Sequence, residues 1–251
     1  MKTILLAMKK SPRYDEAREL LSKHYLVQVA GTAKAISATQ NHRHAQLILI
    51  SDDLPGANGP GLIKNLRKTY DAPIIVLLES ENETDIVTAL DAGANDVLIL
   101  PLGGAVHLAR IRAALRGNIT PKHSGVYSVG GLKVDYTSRT VNVNDKPVHL
   151  TPIEFRILAL LTKNPGRLMP YDQIISEIWG PDNSDNLVLR VNMANIRKKI
   201  EPNPTSPIYI LTESGVGYRA SSSSISSTPI TVSTGSGSKG LSPSDTYTSS
   251  L

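Results

Sequence analysis

Asn186-Leu187-Val188-Leu189-Arg190-Val191-Asn192-Met193-Ala194-Asn195-Ile196-Arg197-Lys198-Lys199-Ile200-Glu201 is the stretch on which the reading of the chain turns. Leu189, Met193, Ile196 and Ile200 recur at i, i+4, i+7 and i+11. On a helix turning about 100° per residue they fall within about 40° of one another, a tight core stripe. The opposite face holds Val191, Ala194, Asn195 and Lys198, flanked by Arg190, Asn192, Arg197 and Lys199. One side is built to pack. The other offers cations for phosphates and amides for base edges, as a helix in the major groove of DNA requires. A solvated amphipathic helix shows the same pattern, so the flanking sequence decides.

Upstream, Thr151 reads as an N-cap, Pro152 as the first helical residue, and Glu154 closes a capping box. That helix continues through Phe155–Lys163 and stops before Asn164-Pro165-Gly166. A second helix runs from Tyr171 to Trp179 and stops at Gly180-Pro181. Downstream, Tyr209–Thr212 and Gly217–Ala220 read as strands joined by Glu213-Ser214-Gly215-Val216, where glycine lets the backbone turn tightly. Four short strands come earlier: Tyr127–Val129, Leu132–Asp135, Thr140–Val143 and Val148–Leu150, with Asn144-Asp145 as a turn. A small sheet, three helices and a terminal hairpin imply a winged-helix (α+β) domain over residues 125–220.

Residues 1–116 follow another rule. Ile4–Met8, Leu26–Val29, Leu47–Ile50, Ile74–Leu78 and Val97–Leu100 are apolar runs of strand length. Amphipathic segments separate them: Tyr14–Lys23, Ala33–Thr39, Gly61–Tyr70, Thr84–Ala92 and Val106–Arg116. This alternation implies an α/β domain, a doubly wound five-stranded parallel sheet with function at the carboxyl ends of its strands. Residues 117–124 read as a linker. The last 31 residues, 221–251, hold 13 Ser and 5 Thr and no core pattern, so they read as a disordered tail.

Composition agrees with two ordinary domains. The chain has 251 residues, 40% apolar and only 4% aromatic, so the core is aliphatic. The absence of Cys excludes disulfide and thiolate metal sites and suits a reducing cytoplasm. The six histidines are scattered, and His42 and His44 read as surface residues. The first apolar run is closed by Lys9-Lys10 and is too short for a signal peptide or a membrane span, so no membrane partner is expected. The net charge of +5 admits nucleic acid without requiring it. It is also evenly spread: 14 basic against 12 acidic residues over 1–120, and 12 against 9 over 121–220. The useful signal is therefore where the cations lie on one helix.

His149-Leu150-Thr151-Pro152-Ile153-Glu154-Phe155-Arg156-Ile157-Leu158, Ile178-Trp179-Gly180, Arg197-Lys198-Lys199 and Gly215-Val216-Gly217-Tyr218-Arg219 together resemble the winged-helix effector of the OmpR/PhoB family of response regulators. The likeness covers residues 1–220. It implies that the third helix enters the major groove of double-stranded DNA while the hairpin reaches the adjacent minor groove or backbone. Arg190, Val191, Asn192, Asn195, Arg197 and Lys198 then lie at the DNA, with Thr212 and Ser214 on the wing. Pro181–Asp185 matches the segment that meets RNA polymerase in relatives. Leu187 and Ala194 stand where many relatives carry arginine.

The first domain resembles a receiver, which takes a phosphoryl group onto an Asp at the end of the third strand. That chemistry needs the nucleophile, an acidic pair for Mg²⁺, a Lys that neutralises charge and a hydroxyl that reports it. The matching positions hold Ser51, Met8 and Lys9, Leu100 and Leu78, and Val97 replaces the switch aromatic. Leu54-Pro55-Gly56, Asp91-Ala92-Gly93-Ala94 and Pro101 keep the surrounding frame. The expectation is a decayed pocket filled by Met8, Leu78 and Leu100, with no metal or cofactor. Asp52 is the nearest substitute carboxylate, but a continuing strand points it to the opposite face. The resemblance also implies a homodimer through the fourth helix, fifth strand and fifth helix, where Asp91, Asp96, Arg110 and Arg112 match ion-pairing positions. Exposed pairs contribute only ~0–1 kcal/mol each, so apolar contacts must carry much of such a dimer.

These readings converge on a cytoplasmic, DNA-binding transcription regulator that works without aspartyl phosphorylation. Its receiver-like half would serve for dimerisation or for a signal other than phosphate. The rival is a protein-interaction adaptor whose winged helix binds DNA weakly or not at all. An enzyme is disfavoured. Gly56-Ala57-Asn58-Gly59-Pro60-Gly61 lacks dinucleotide spacing and follows the third strand rather than the first, and no nucleophile–base pair appears.

Overall fold

A computed structural model of the chain describes residues 1–38, 45–116, 125–181 and 185–222. The linker 117–124, His42, His44 and the tail from residue 223 lie outside the described residues.

The first half alternates β1 (Thr3–Ala7), α1 (Pro12–Ser22), β2 (Leu26–Ala30), α2 (Ala33–Ala38), β3 (Leu47–Ser51), α3 (Pro60–Arg67), β4 (Ile74–Leu78), α4 (Glu83–Asp91), β5 (Asp96–Ile99) and α5 (Gly104–Leu115). The strands form one parallel sheet in the order β2-β1-β3-β4-β5. Every residue of β3 and β4 is buried, because helices cover both faces. Successive side chains alternate between those faces. Ile4, Leu6, Leu49 and Leu77 pack with Leu21 of α1 and Ile111 of α5. Leu5, Ile48, Ile50 and Val76 pack with Ile36 of α2, Ile63 of α3 and Ala89 of α4. The sheet order reverses between β1 and β3, so the crevice of this fold lies beyond their carboxyl ends, beside Met8 and Ser51.

The second half opens with a four-stranded antiparallel sheet of β6 (Val126–Val129), β7 (Leu132–Asp135), β8 (Thr140–Val143) and β9 (Lys146–Val148). Asn144 and Asp145 form the two-residue turn between β8 and β9, with φ of 51° and 60°. Then come α6 (Pro152–Thr162), β10 (Met169–Pro170), α7 (Tyr171–Trp179), α8 (Asn186–Ile200), β11 (Ile210–Glu213) and β12 (Gly217–Ala220). The capping box of α6 is present: the Thr151 hydroxyl accepts from Glu154 N at 3.4 Å, and Glu154 Oε2 accepts from Thr151 N at 2.7 Å. Element boundaries differ from the sequence reading by at most three residues, and those of β4, β7, β8, α7 and β12 coincide with it. The exception is β10, which the sequence reading lacks and which pairs with β12. Gly217 permits that pairing, because a Cβ there would collide with the Met169 carbonyl. Gly215, at φ +77°, turns the hairpin.

The two halves touch. Helix α8 packs on α4 and α7 packs on α5. Arg156 of α6 bridges them, donating to the Ala113 carbonyl at 3.4 Å and the Ile178 carbonyl at 2.8 Å. Both acceptors lie in the last turn of a helix, where partial negative charge collects. Burial, reinforced by the Arg116 and Arg139 charges, lowers the Arg156 pKa to about 10, which leaves it charged at neutral pH. Among the described residues no helix is long and apolar enough to cross a membrane.

Candidate nucleic-acid interface and receiver pocket

Helix α8 is capped by Asp185, whose Oδ1 accepts from Leu187 N at 2.9 Å and Val188 N at 3.4 Å. Leu189, Met193, Ile196 and Ile200 are buried as the spacing requires. Val188 and Asn192 are buried with them. Asn192 is 3% exposed, and its Nδ2 donates to the Val188 carbonyl at 2.8 Å. This corrects the assignment of Asn192 to the DNA face: its amide is spent inside the helix packing. Val191 is half-buried against the core.

The other predicted contacts lie on α8 and on the wing. Arg190, Lys198, Thr212 and Ser214 are exposed, and Asn195 is half-buried beside them. Lys198 Nζ lies 3.4 Å from Asn195 Oδ1, a long hydrogen bond between exposed groups. Arg197 does something the sequence did not show. Its Nη2 donates to the Ile210 carbonyl at 2.7 Å and to Thr212 Oγ1 at 2.6 Å, and its guanidinium lies 5.5 Å from the centre of the Tyr218 ring. It joins α8 to the wing, and Thr212 is its partner. Tyr218 is held edge-on by Tyr171 at 5.2 Å, and burial raises the pKa of its hydroxyl. Lys199 also points inward, with Nζ 2.6 Å from the buried Glu154 carboxylate that closes the α6 capping box.

The receiver pocket is apolar. Met8, Leu78 and Leu100 are buried, Ser51 is 1% exposed and Lys9 points to solvent. Ser51 Oγ donates to Asp53 Oδ1 at 2.5 Å, so the hydroxyl at the acceptor position is taken up by its neighbour. Met8 and Leu100 pack with the α1 and α5 side chains. Leu78 does not join them, which corrects the expectation of one filled pocket. Sheet alternation sends it to the other face, where it lines a cavity of about 200 Å³ under α4. Asp52 keeps strand pairing, its N–H reaching the Leu77 carbonyl at 3.1 Å, and its carboxylate borders that same cavity. Burial raises its pKa, and the Asp53 and Glu79 charges add to the rise against backbone hydrogen bonds that oppose it.

The predicted dimer residues divide. Asp96 is buried, and its Oδ1 accepts from Val97 N at 2.8 Å and from Arg110 Nη1 at 3.3 Å. Burial lifts its pKa to about 6 against the pull of Arg110. Arg110 in turn approaches Asp185 Oδ2 at 3.7 Å, and Asp91 lies 4.0 Å from Lys198 Nζ. In this structure, then, Asp96, Arg110 and Asp91, expected at cross-subunit ion pairs, make contacts within the chain. Arg112 is not with them: it is exposed and its charge acts on the Tyr25 hydroxyl. Leu187 shares a groove between the halves with Ile86, Val97 and Val106. The capping role of Asp185 escaped the sequence reading, although its place just before a helical stripe is the signal of an N-cap.

Residues 14–112 match the family described as the response regulator receiver domain, and residues 145–220 match that described as transcriptional regulatory protein, C terminal. The transcriptional regulatory protein KdpE of Mycobacterium tuberculosis (strain ATCC 25618 / H37Rv) is 35% identical over 223 residues, covering 86% of this chain and 98% of its own length. The chain belongs to the OmpR/PhoB family of response regulators. The KDP operon transcriptional regulatory protein KdpE of Escherichia coli (strain K12) is 37% identical over 179 residues, covering 70% of this chain and 80% of the relative. A solved mutant of RitR shares the fold at 21% identity, with a TM-score of 0.71 over 88% of this chain and 99% of that one. As a family member, the chain is a transcription regulator with a receiver-type half and a DNA-binding half, and its relatives are regulators rather than enzymes.

Proposed function

We propose that this regulator binds specific DNA sequences without aspartyl phosphorylation, its receiver-like half serving for dimerisation or for an input other than phosphate. The observation that carries the reading is the altered pocket. A phosphoryl acceptor, two metal-binding carboxylates and a neutralising ammonium are replaced by Ser51, Met8, Lys9 and Leu100, three of them buried. Met8 and Lys9 offer no carboxylate to hold Mg²⁺ and Leu100 offers no ammonium, so the charges that stabilise the transferring group are missing. Arg190, Asn195, Lys198, Thr212 and Ser214 supply the DNA surface, and Arg197 orients the wing. The groove beside Leu187 shows that α8 meets α4 in this arrangement. Seating α8 in a major groove and pairing two receiver faces both require α8 to leave α4. Pro181 and Asp185 flank the segment proposed to meet RNA polymerase, whose residues 182–184 lie outside the described residues. Mobility shifts on genomic fragments, with and without acetyl phosphate, test the reading. Binding by untreated protein, with no change on adding the donor, is expected. Binding only with the donor overturns it.

The seating of Leu187 against α4 also favours a second reading, an adaptor whose winged helix serves protein contacts. That reading requires weak binding to every sequence with a flat salt dependence, whereas a DNA regulator loses affinity steeply with salt.

A further inference from the structure

Helix α4 has two working faces. One meets α8 through Asp91 and Lys198. The other roofs the cavity of about 200 Å³ at the carboxyl ends of β3 and β4. Its walls are Ile50, Val76 and Leu78 of the sheet, Ile63 of α3 and Ala89 of α4, all buried and apolar. Its mouth carries two carboxylates, Asp52 and Asp85. Among the described residues neither has a cation at ion-pair distance. Asp53 and Glu79 add negative charge beside Asp52. An apolar cavity of about 150 Å³ already holds a benzene ring. Carboxylates at the rim with no cation at ion-pair distance select a positive end group.

We propose that this cavity is a binding site for a small organic ammonium ion carrying a ring-sized apolar body, and that its occupancy acts on α4. The proposal deepens, and rests on, the reading of the receiver-like half as a unit with an input other than phosphate. The ring lies against Leu78, Val76 and Ile63, and the ammonium sits between Asp52 and Asp85. Asp85, Thr88 and Ala89 line the cavity from one side of α4, spaced i, i+3, i+4. Ile86, in the groove with Leu187, and Asp91, beside Lys198, belong to the same helix. A guest that moves α4 outward moves both contacts to α8.

Benzylamine is the probe, titrated into the full chain by calorimetry and by thermal unfolding. Saturable binding near about 1 mM is expected for so small a ligand. Benzyl alcohol should bind at least about tenfold more weakly, and benzoate not at all, since only the charge differs. Asp52→Asn with Asp85→Asn should cost benzylamine about tenfold or more. Ala57→Leu, at the half-open mouth, should abolish binding while the unliganded protein melts as before. Equal binding of benzoate, no saturation with benzylamine, or unchanged affinity in the charge variants overturns the proposal. So does MgCl₂ displacing benzylamine from wild type but not from the Asn variants, which would make the carboxylates a metal site. Mobility shifts on unliganded protein keep the two readings apart. DNA binding without a phosphoryl donor but without benzylamine uptake overturns only the cavity. Uptake in a protein that needs the donor overturns only the phosphate-independent reading.

Discussion

Asn192 and Arg190 sit two positions apart on α8 and do opposite work. Asn192 is buried with its Nδ2 on the Val188 carbonyl, while Arg190 faces solvent beside the wing. Asn192→Ala should lower stability by about 1–2 kcal/mol in urea unfolding, through a lost buried hydrogen bond and lost packing, and leave base preference unchanged. Arg190→Ala should leave the urea midpoint in place, weaken DNA binding and reduce the salt slope by about one, read by fluorescence anisotropy. The reverse pattern would put Asn192, not Arg190, at the DNA. The stripe Leu189, Met193, Ile196, Ile200 was legible because it is the centre of the packed face. Its width was not, because α8 packs on α4, α6 and α7, and periodicity gives the direction of burial rather than the number of partners. Asp96 is expected at a cross-subunit ion pair, and its burial leaves no mark in the sequence for the same reason. Its pKa is raised to about 6 against about 3.9 unfolded, so the native state holds the extra proton between those values. Its contribution to stability is full below about pH 4 and is lost as pH rises through 6, by up to roughly 3 kcal/mol. Asp96→Asn should remove that slope from urea midpoints taken between pH 4 and 7. Parallel curves for the two proteins would show that Asp96 does not carry it.

At the scale of elements, the five strands and the helices between them were readable from run length and alternation alone. The cap of α6 was readable too, since Thr151, Pro152 and Glu154 each have a local role. Two features were not. Strand β10 is two residues long, too short for any period, and only the clearance at Gly217 marks where another strand passes. The wing was read as a DNA-reaching hairpin, but its attachment to α8 through Arg197 joins residues 13 to 15 positions apart. Arg197 satisfies a carbonyl and a hydroxyl and lies over Tyr218, a set that a lysine's point charge does not reproduce. Arg197→Lys should therefore lower the melting temperature by several degrees, equivalent to about 1–2 kcal/mol. It should also weaken DNA binding although the net charge is kept. Unchanged melting and affinity would mean that charge alone matters at this position.

The whole molecule shows what no local pattern carried: α8, the helix expected to read DNA, packs on α4, a helix expected to dimerise. Apolar stripes announce cores, but a contact between two mixed surfaces leaves no period in either. Arg156, read only as part of a motif, bridges the halves, and Asp185 both caps α8 and approaches Arg110. The Asp91–Lys198 pair is exposed and 4.0 Å long, so its own contribution is below about 1 kcal/mol. It is a reporter of the closed arrangement rather than its lock. A carbodiimide joins a carboxylate directly to a neighbouring amine, so it should link Asp91 to Lys198, and mass spectrometry should locate the linked peptides. Adding duplex DNA that the protein binds should suppress the link, because Lys198 cannot face α4 and a phosphate at once. The linked fraction should fail to shift DNA, while carbodiimide-treated Asp91→Asn, which cannot link there, should still shift it. A link that persists at full yield on DNA-bound protein would show that the DNA surface lies elsewhere on the winged helix.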